Sequence, residues 1–141
     1  MKNFIKIFSI AFFTLTISCK SQQTSAFKTE LLNNFEANKN IYIGKTINNL
    51  LANISYPVKS YMSSSFTGKT NNVTLYFITN TQIRQRVPLT SPIALTVYFT
   101  QEKDIKVIDD MLKRNQLTWT AEEKSFFGNL IVKDFYVGGN P

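Results

Sequence analysis

The 141-residue chain contains one cysteine and no histidine. A single cysteine cannot form a disulfide within the chain, so any folded domain must be held together by its apolar core. The absence of histidine excludes histidine-based catalytic triads and zinc sites built from histidine. With 43% hydrophobic and 18% charged residues, the composition predicts one small globular domain. We therefore expect no cofactor, no metal site and no enzyme activity, and an enzyme that uses Ser, Lys or carboxylate groups is the remaining catalytic alternative.

The N-terminus has the layout of a secretory signal peptide. Lys2 and Lys6 are followed by an apolar run of 11 residues at positions 7–17 and by the small residue Ser18. A helix needs about 20 apolar residues to cross a bilayer, so this run is too short for a permanent span. Residues 1–18 are predicted to be a signal peptide that is removed.

The end of this segment, residues 15–19, reads Leu-Thr-Ile-Ser-Cys. It resembles the lipobox of bacterial lipoproteins, in which a short apolar stretch and a small residue precede a cysteine. The resemblance implies cleavage before Cys19 and attachment of lipid to its sulfur, and two or three acyl chains hold a protein durably at a membrane. In that family an Asp after the cysteine often retains the protein in the inner membrane, so Lys20 favours the outer membrane, facing the periplasm. An ordinary signal peptide with an incidental Cys19, or a cytosolic protein with an apolar start, is the alternative.

The rest of the chain divides into a tether, a domain and a tail. Residues 19–25 carry no side chain suited to a core and predict a polar tether that reaches at most about 24 Å. Residues 26–137 contain the periodic apolar positions and predict a single α+β domain. Residues 138–141 predict a frayed tail.

Apolar spacing predicts two helices at the start of this domain. Phe27, Leu31 and Phe35 recur at helical spacing within residues 27–39, and Thr46 is placed to cap a second, short helix. A later amphipathic helix is predicted over residues 104–115. Thr120 and Glu123 have the spacing of a capping box that opens a further helical turn.

The remaining segments predict an antiparallel sheet of about four strands, because links of hairpin length join most of them. One helix is expected just before the last strand. The predicted strands cover residues 58–66, 73–78, 93–99 and 130–137.

Two helices followed by an antiparallel meander, with Gly44 and Thr46 opening a helix, resemble the small lipoprotein and inhibitor domains of the BamE and beta-lactamase-inhibitor type. The resemblance covers residues 27–99 and is one of topology. It implies a small domain that works by binding.

Residues 80–92 form an unusually long link between two strongly predicted strands. Arg84 and Arg86, two positions apart, would point the same way on an extended segment and could bind a phosphate or carboxylate group. The alternative is a long hairpin whose arginines only keep it soluble and block edge pairing.

Aromatic residues are concentrated near the C-terminus, and core packing is the ordinary explanation for them, with a surface for a partner as the alternative. They are Trp119, Phe126, Phe127 and Tyr136.

Together these features predict a membrane-anchored envelope lipoprotein that acts as a non-catalytic binding or accessory module of an envelope assembly. Its expected partners are the membrane, through the lipid anchor, and a protein, with no nucleic acid. A small inhibitor or immunity protein directed against a toxin or hydrolase is the alternative function. Removal of residues 1–18, which carry Lys2 and Lys6, lowers the formal net charge from +7 to +5. This moderate basicity suits contact with anionic lipid or envelope polymer, but it is equally common in domains that bind neither.

Overall fold

The computed structural model describes residues 26–65, 67–84 and 93–138. The predicted signal peptide, Cys19 and the tether lie outside the described residues, as do Arg86 and residues 139–141. The described part has an α+β fold, as the sequence predicts.

The sheet has four antiparallel strands in the order β1-β2-β3-β4 among the described residues. Strand β2 shows how the sequence specifies a strand of this sheet. Its buried residues Val73 and Leu75 alternate with the more exposed Thr74 and Tyr76. The strands are β1 (Ser60–Met62), β2 (Lys69–Tyr76), β3 (Ala94–Asp104) and β4 (Val132–Gly138).

The first helix, α1, changes its winding along its length. Residues 26–30 form an α-helical turn that continues as a π-helix over Leu31–Glu36. A strict four-residue repeat drifts around an α-helix by about 40° at each step, since each residue turns the helix by about 100°. The wider π turn offsets this drift. Phe27, Leu31 and Phe35 are accordingly all buried.

Helix α1 ends earlier than predicted, and a separate 3-10 turn over Lys39–Ile41 follows it. The other helices are α2 (Ile47–Leu51), α3 (Asn80–Arg84), α4 (Ile105–Arg114) and α5 (Ala121–Gly128).

The predicted helix starts are confirmed by their caps. The Thr46 hydroxyl accepts a hydrogen bond from the Asn49 N–H at 3.2 Å, which starts α2. Asp104 accepts one from the Lys106 N–H at 2.8 Å, which starts α4. Thr120 and Glu123 form the capping box of α5.

The helices pack on one face of the sheet, which makes a two-layer structure. Phe127 of α5 contacts Tyr61 of β1 and Phe99 of β3. Tyr42, which follows α1, contacts Phe35 and Phe135 of β4. These rings belong to one continuous apolar core.

Several predicted boundaries are wrong in detail, and β2 begins earlier and β3 ends later than predicted, because Lys69 pairs with Asp104. Residues 80–84, expected to be part of an extended arm, are the helix α3. Gly138, expected in the tail, is the last residue of β4 and pairs with Ala94. The first strand shrinks to Ser60–Met62, because this short piece is the part that pairs with β2.

Candidate binding face

The second face of the sheet, which we call the open face, is lined by side chains that alternate with the core positions. Its central row, set by the strand register, consists of Met62, Thr74, Thr96 and Tyr136. The two flanking rows consist of Ser60, Tyr76, Ala94 and Gly138 on one side and Asn72, Tyr98 and Asp134 on the other.

Hydroxyl groups pair across the open face. The hydroxyls of Thr74 and Thr96 lie 3.0 Å apart, and those of Tyr98 and Tyr136 lie 3.4 Å apart, with either partner able to donate. The Tyr98 and Tyr136 rings pack with their centroids 5.9 Å apart. Two large apolar groups at this face are well exposed, Met62 at 47% and Tyr136 at 43%.

Two tyrosines of the open face, Tyr76 and Tyr98, have raised pKa values. The bond to Tyr136, together with burial and the nearby charge of Asp134, raises the pKa of Tyr98. Burial raises the pKa of Tyr76. Both hydroxyls therefore stay protonated and can each donate and accept a hydrogen bond.

Formal charge at this face is confined to Asp134 among the positions in register, and that charge is compensated. Lys39 donates a hydrogen bond to Asp134 at 2.9 Å and holds the pKa of this carboxyl below its usual range. The registered positions of this face thus offer hydroxyl and aromatic groups and one paired charge, although the whole chain is basic.

Both edges of the sheet are engaged, so neither offers a free row of backbone groups. At the β4 edge, the Val137 N–H donates to the Glu36 carboxylate and the Val132 N–H donates to the Lys45 carbonyl. At the β1 edge, the Tyr61 N–H donates to the Leu117 carbonyl. Such coverage is a common way to prevent edge-to-edge pairing.

Arg84, a predicted site residue, lines a shallow groove of about 560 Å³ between α3 and α4. Within the described ranges, neither Arg84 nor Lys113 of this groove has a carboxylate within 4.0 Å. Asp109 supplies one opposing charge. The full lining is Arg84, Asp109, Leu112, Lys113, Gln116 and Leu117.

The expected pairing of Arg84 with Arg86 stays a prediction, since Arg86 lies outside the described residues. The prediction assumed that Arg84 lies in an extended segment, where side chains two positions apart point the same way. Arg84 is instead the last residue of helix α3, so this assumption does not hold at Arg84.

The most buried acidic group is Glu123, which is fully enclosed. It accepts hydrogen bonds from the Tyr61 hydroxyl at 3.0 Å, the Asn115 amide at 2.7 Å and the Thr120 N–H at 2.8 Å. Burial alone would raise the pKa of Glu123, but the bonds from Thr120 and Asn115 outweigh it and hold the pKa below its usual value. This carboxylate is engaged in the structure and is not aimed at a cavity.

The C-terminal aromatic residues divide between the two faces. Trp119 stacks on Phe127 and Phe126 contacts it edge-on, which places these three rings in or against the core. Tyr136 instead pairs with Tyr98 on the open face. Core packing therefore explains Trp119, Phe126 and Phe127, whereas Tyr136 is a surface residue.

Sequence reasoning missed the open face, although a signal for it was present. Thr74 and Tyr76, and likewise Thr96 and Tyr98, occupy alternate positions on two strands whose other positions are apolar. Such alternation is typical of a sheet with one solvated face.

Comparisons with protein-family models, with curated proteins and with solved structures found no match to this chain. Among residues 26–65, 67–84 and 93–138, no helix has both the length and the apolar character needed to cross a membrane. The same residues contain no cluster of three or more His, Cys, Asp or Glu side chains that could hold a metal.

Proposed function

We propose that this chain is an envelope lipoprotein, anchored by lipid on Cys19, whose domain is a non-catalytic binding module for a protein partner. The observation that carries the proposal is the open face, where Met62 and Tyr136 are exposed and Tyr98 is half-buried, beside the hydrogen-bonded pair of Thr74 and the buried Thr96.

The chemistry of the open face suits a protein partner. Tyrosine and methionine are enriched at protein–protein interfaces, and charged residues are depleted at their centres. Nucleic acids are instead bound largely by Lys and Arg contacts to phosphates, and the registered positions of this face carry neither residue. Within residues 26–65, 67–84 and 93–138, a sheet face is also the part of the sheet left for a partner, because both strand edges are engaged.

Recovery of partners from the envelope tests the role of the open face. Met62→Lys places a charge on the face, and Val107→Lys places the same charge on α4, at a residue with the same 47% exposure. The tagged full chain should keep its partner with Val107→Lys and lose it with Met62→Lys. Equal recovery with both variants would refute a contact through this face.

The identity of the partner separates the two candidate functions. Recovery of a resident envelope assembly supports the accessory function. Recovery of a toxin or hydrolase alone supports the inhibitor or immunity function.

The anchor is tested separately by mass spectrometry of the mature N-terminus. Acyl mass on residue 19 is expected in the wild type, and Cys19→Ala should give an unprocessed or soluble product. An intact, unmodified Met1 in the mature protein would refute the anchor.

Arg84 and Arg86 are proposed as a secondary contact for an anionic group. The groove beside Arg84 supports this, since Lys113 adds a second cation without a close carboxylate among the described residues. Arg84→Gln with Arg86→Gln should weaken binding at low salt, whereas Lys106→Gln with Lys124→Gln, the same charge change elsewhere, should not. Unchanged binding with the arginine variant would show that these residues are solubilising.

A further inference from the structure

The turn after α1 exposes two isoleucines on either side of a buried tyrosine. Tyr42 is 9% exposed and packs against Phe35 and Phe135, which fixes the turn on the domain. Ile41 is 63% exposed and Ile43 is 40% exposed. Single exposed apolar residues are ordinary, but two in one anchored turn form a small apolar projection, which we call the Ile41–Ile43 turn.

Basic residues surround this turn. The Gly44 N–H donates to the Val132 carbonyl at 2.9 Å, and the Val132 N–H donates to the Lys45 carbonyl at 2.8 Å, so Lys45 lies beside the strand that continues into Lys133. Both lysines are exposed, and no carboxylate among the described residues lies within 4.0 Å of either. The charge of Lys39 is already matched by Asp134. The surroundings of the turn therefore carry an excess of positive charge.

The position of the turn along the chain places it within reach of a membrane that holds Cys19. The described chain begins at residue 26, where α1 starts, and α1 spans about 16 Å at the usual rise per residue. Residues 19–25 reach at most about 24 Å. The tether is thus long enough for α1 to lie along the bilayer and for the turn to touch it.

We propose that the Ile41–Ile43 turn inserts into the headgroup region of an anionic bilayer, with Lys45 and Lys133 against lipid phosphates. Exposed apolar side chains beside lysines are the usual components of interfacial membrane binding. This inference rests on the proposed function in one respect. The lipid anchor on Cys19 is what would bring the domain to the bilayer. It orients the domain with the β4 edge toward the membrane, because the turn is hydrogen-bonded to that strand.

Depth-dependent quenching tests the proposal on the full chain purified from membranes. An environment-sensitive fluorophore is attached through Ile41→Cys or, as the control, Val107→Cys on α4. The vesicles contain brominated phosphatidylglycerol with phosphatidylethanolamine. Quenching at position 41 should exceed quenching at position 107 by on the order of twofold or more, and should fall when salt is raised. Lys45→Gln with Lys133→Gln should lower it further.

Quenching at position 41 no stronger than at position 107 would overturn the inference, even if acyl mass is found on residue 19. A protein cross-linked to position 41 in the native envelope would overturn it as well. Strong quenching in the Cys19→Ala background, where position 41 alone carries a thiol for the label, would support a membrane contact that does not depend on the anchor. The two proposals can therefore fail independently.

Discussion

At the scale of single residues, Glu123 joins three parts of the fold. Its carboxylate accepts hydrogen bonds from Tyr61 of β1, from Asn115 at the end of α4 and from Thr120 at the start of α5. A buried charge is costly unless it is hydrogen-bonded, and these donors meet that condition. These hydrogen bonds engage both carboxylate oxygens of Glu123, so neither oxygen is left to act on a substrate.

Glu123→Gln should lower the free energy of unfolding by about 1.5 to 3 kcal/mol, the range for hydrogen bonds to a charged group. The amide keeps the shape but turns one acceptor into a donor that faces other donors. Urea denaturation measures the loss. Glu122→Gln, at the exposed neighbouring position, should have a clearly smaller effect, and equal effects would mean that the buried bonds do not stabilise the fold.

The lowered pKa of Glu123 also predicts a pH dependence. Its folded pKa lies below the ordinary value of 4.5, so the unfolded chain takes up the proton first as pH falls. The stabilisation is complete above the ordinary pKa and is lost as pH falls through the folded pKa. Wild type should therefore lose stability faster than Glu123→Gln over this acidic range, as urea midpoints would show, and parallel curves would contradict the assignment.

The sequence predicts only the local half of this cluster. Thr120 and Glu123 are three positions apart, so their capping box can be read from spacing alone. Tyr61 lies 62 positions from Glu123, and only the folded sheet brings its hydroxyl into range.

At the scale of elements, α1 shows how spacing selects a helix type. The four-residue repeat of Phe27, Leu31 and Phe35 predicts a helix, and the π-helix keeps all three on the core side. The end of α4 gives no such signal, because Gln116 and Leu117 adopt φ values of 50° and 63° where a glycine would be expected. The turn is nevertheless closed locally, since the Leu117 N–H donates to the Leu112 carbonyl at 3.1 Å, and the Leu117 carbonyl accepts a hydrogen bond from the Tyr61 N–H of β1.

Leu31→Ala should destabilise the protein by about 2 to 5 kcal/mol, because Leu31 is fully buried and the substitution leaves a cavity. Leu32→Ala is the matched control at the adjacent position. With 37% of Leu32 exposed, its loss should stay below about 1 kcal/mol. Denaturation of both variants measures the difference, and similar losses would contradict the register of α1.

At the scale of the whole molecule, one apolar core joins the sheet and the helical layer. The fold class, the strand number and most helix starts were predictable because they follow from local periodicity and capping. Alternation along two strands signals a solvated face, but the side chains that meet on it could not be predicted, because they depend on which strands pair and in which register.

A chain shortened to begin at Ala26 should unfold cooperatively in urea, since the described core starts at Phe27. Circular dichroism and tyrosine fluorescence should give the same transition midpoint. A broad transition, or midpoints that differ between the two probes, would mean that earlier residues or a partner complete the core.

Site-specific photocrosslinking in the intact envelope tests the central claim most directly. A photoreactive residue is placed on the open face by Tyr136→benzoylphenylalanine and on the helical layer by Val107→benzoylphenylalanine, at sites with exposures of 43% and 47%. The account predicts one discrete protein adduct from position 136 and none from position 107. The same adduct from both positions, or an adduct from position 107 alone, would contradict it.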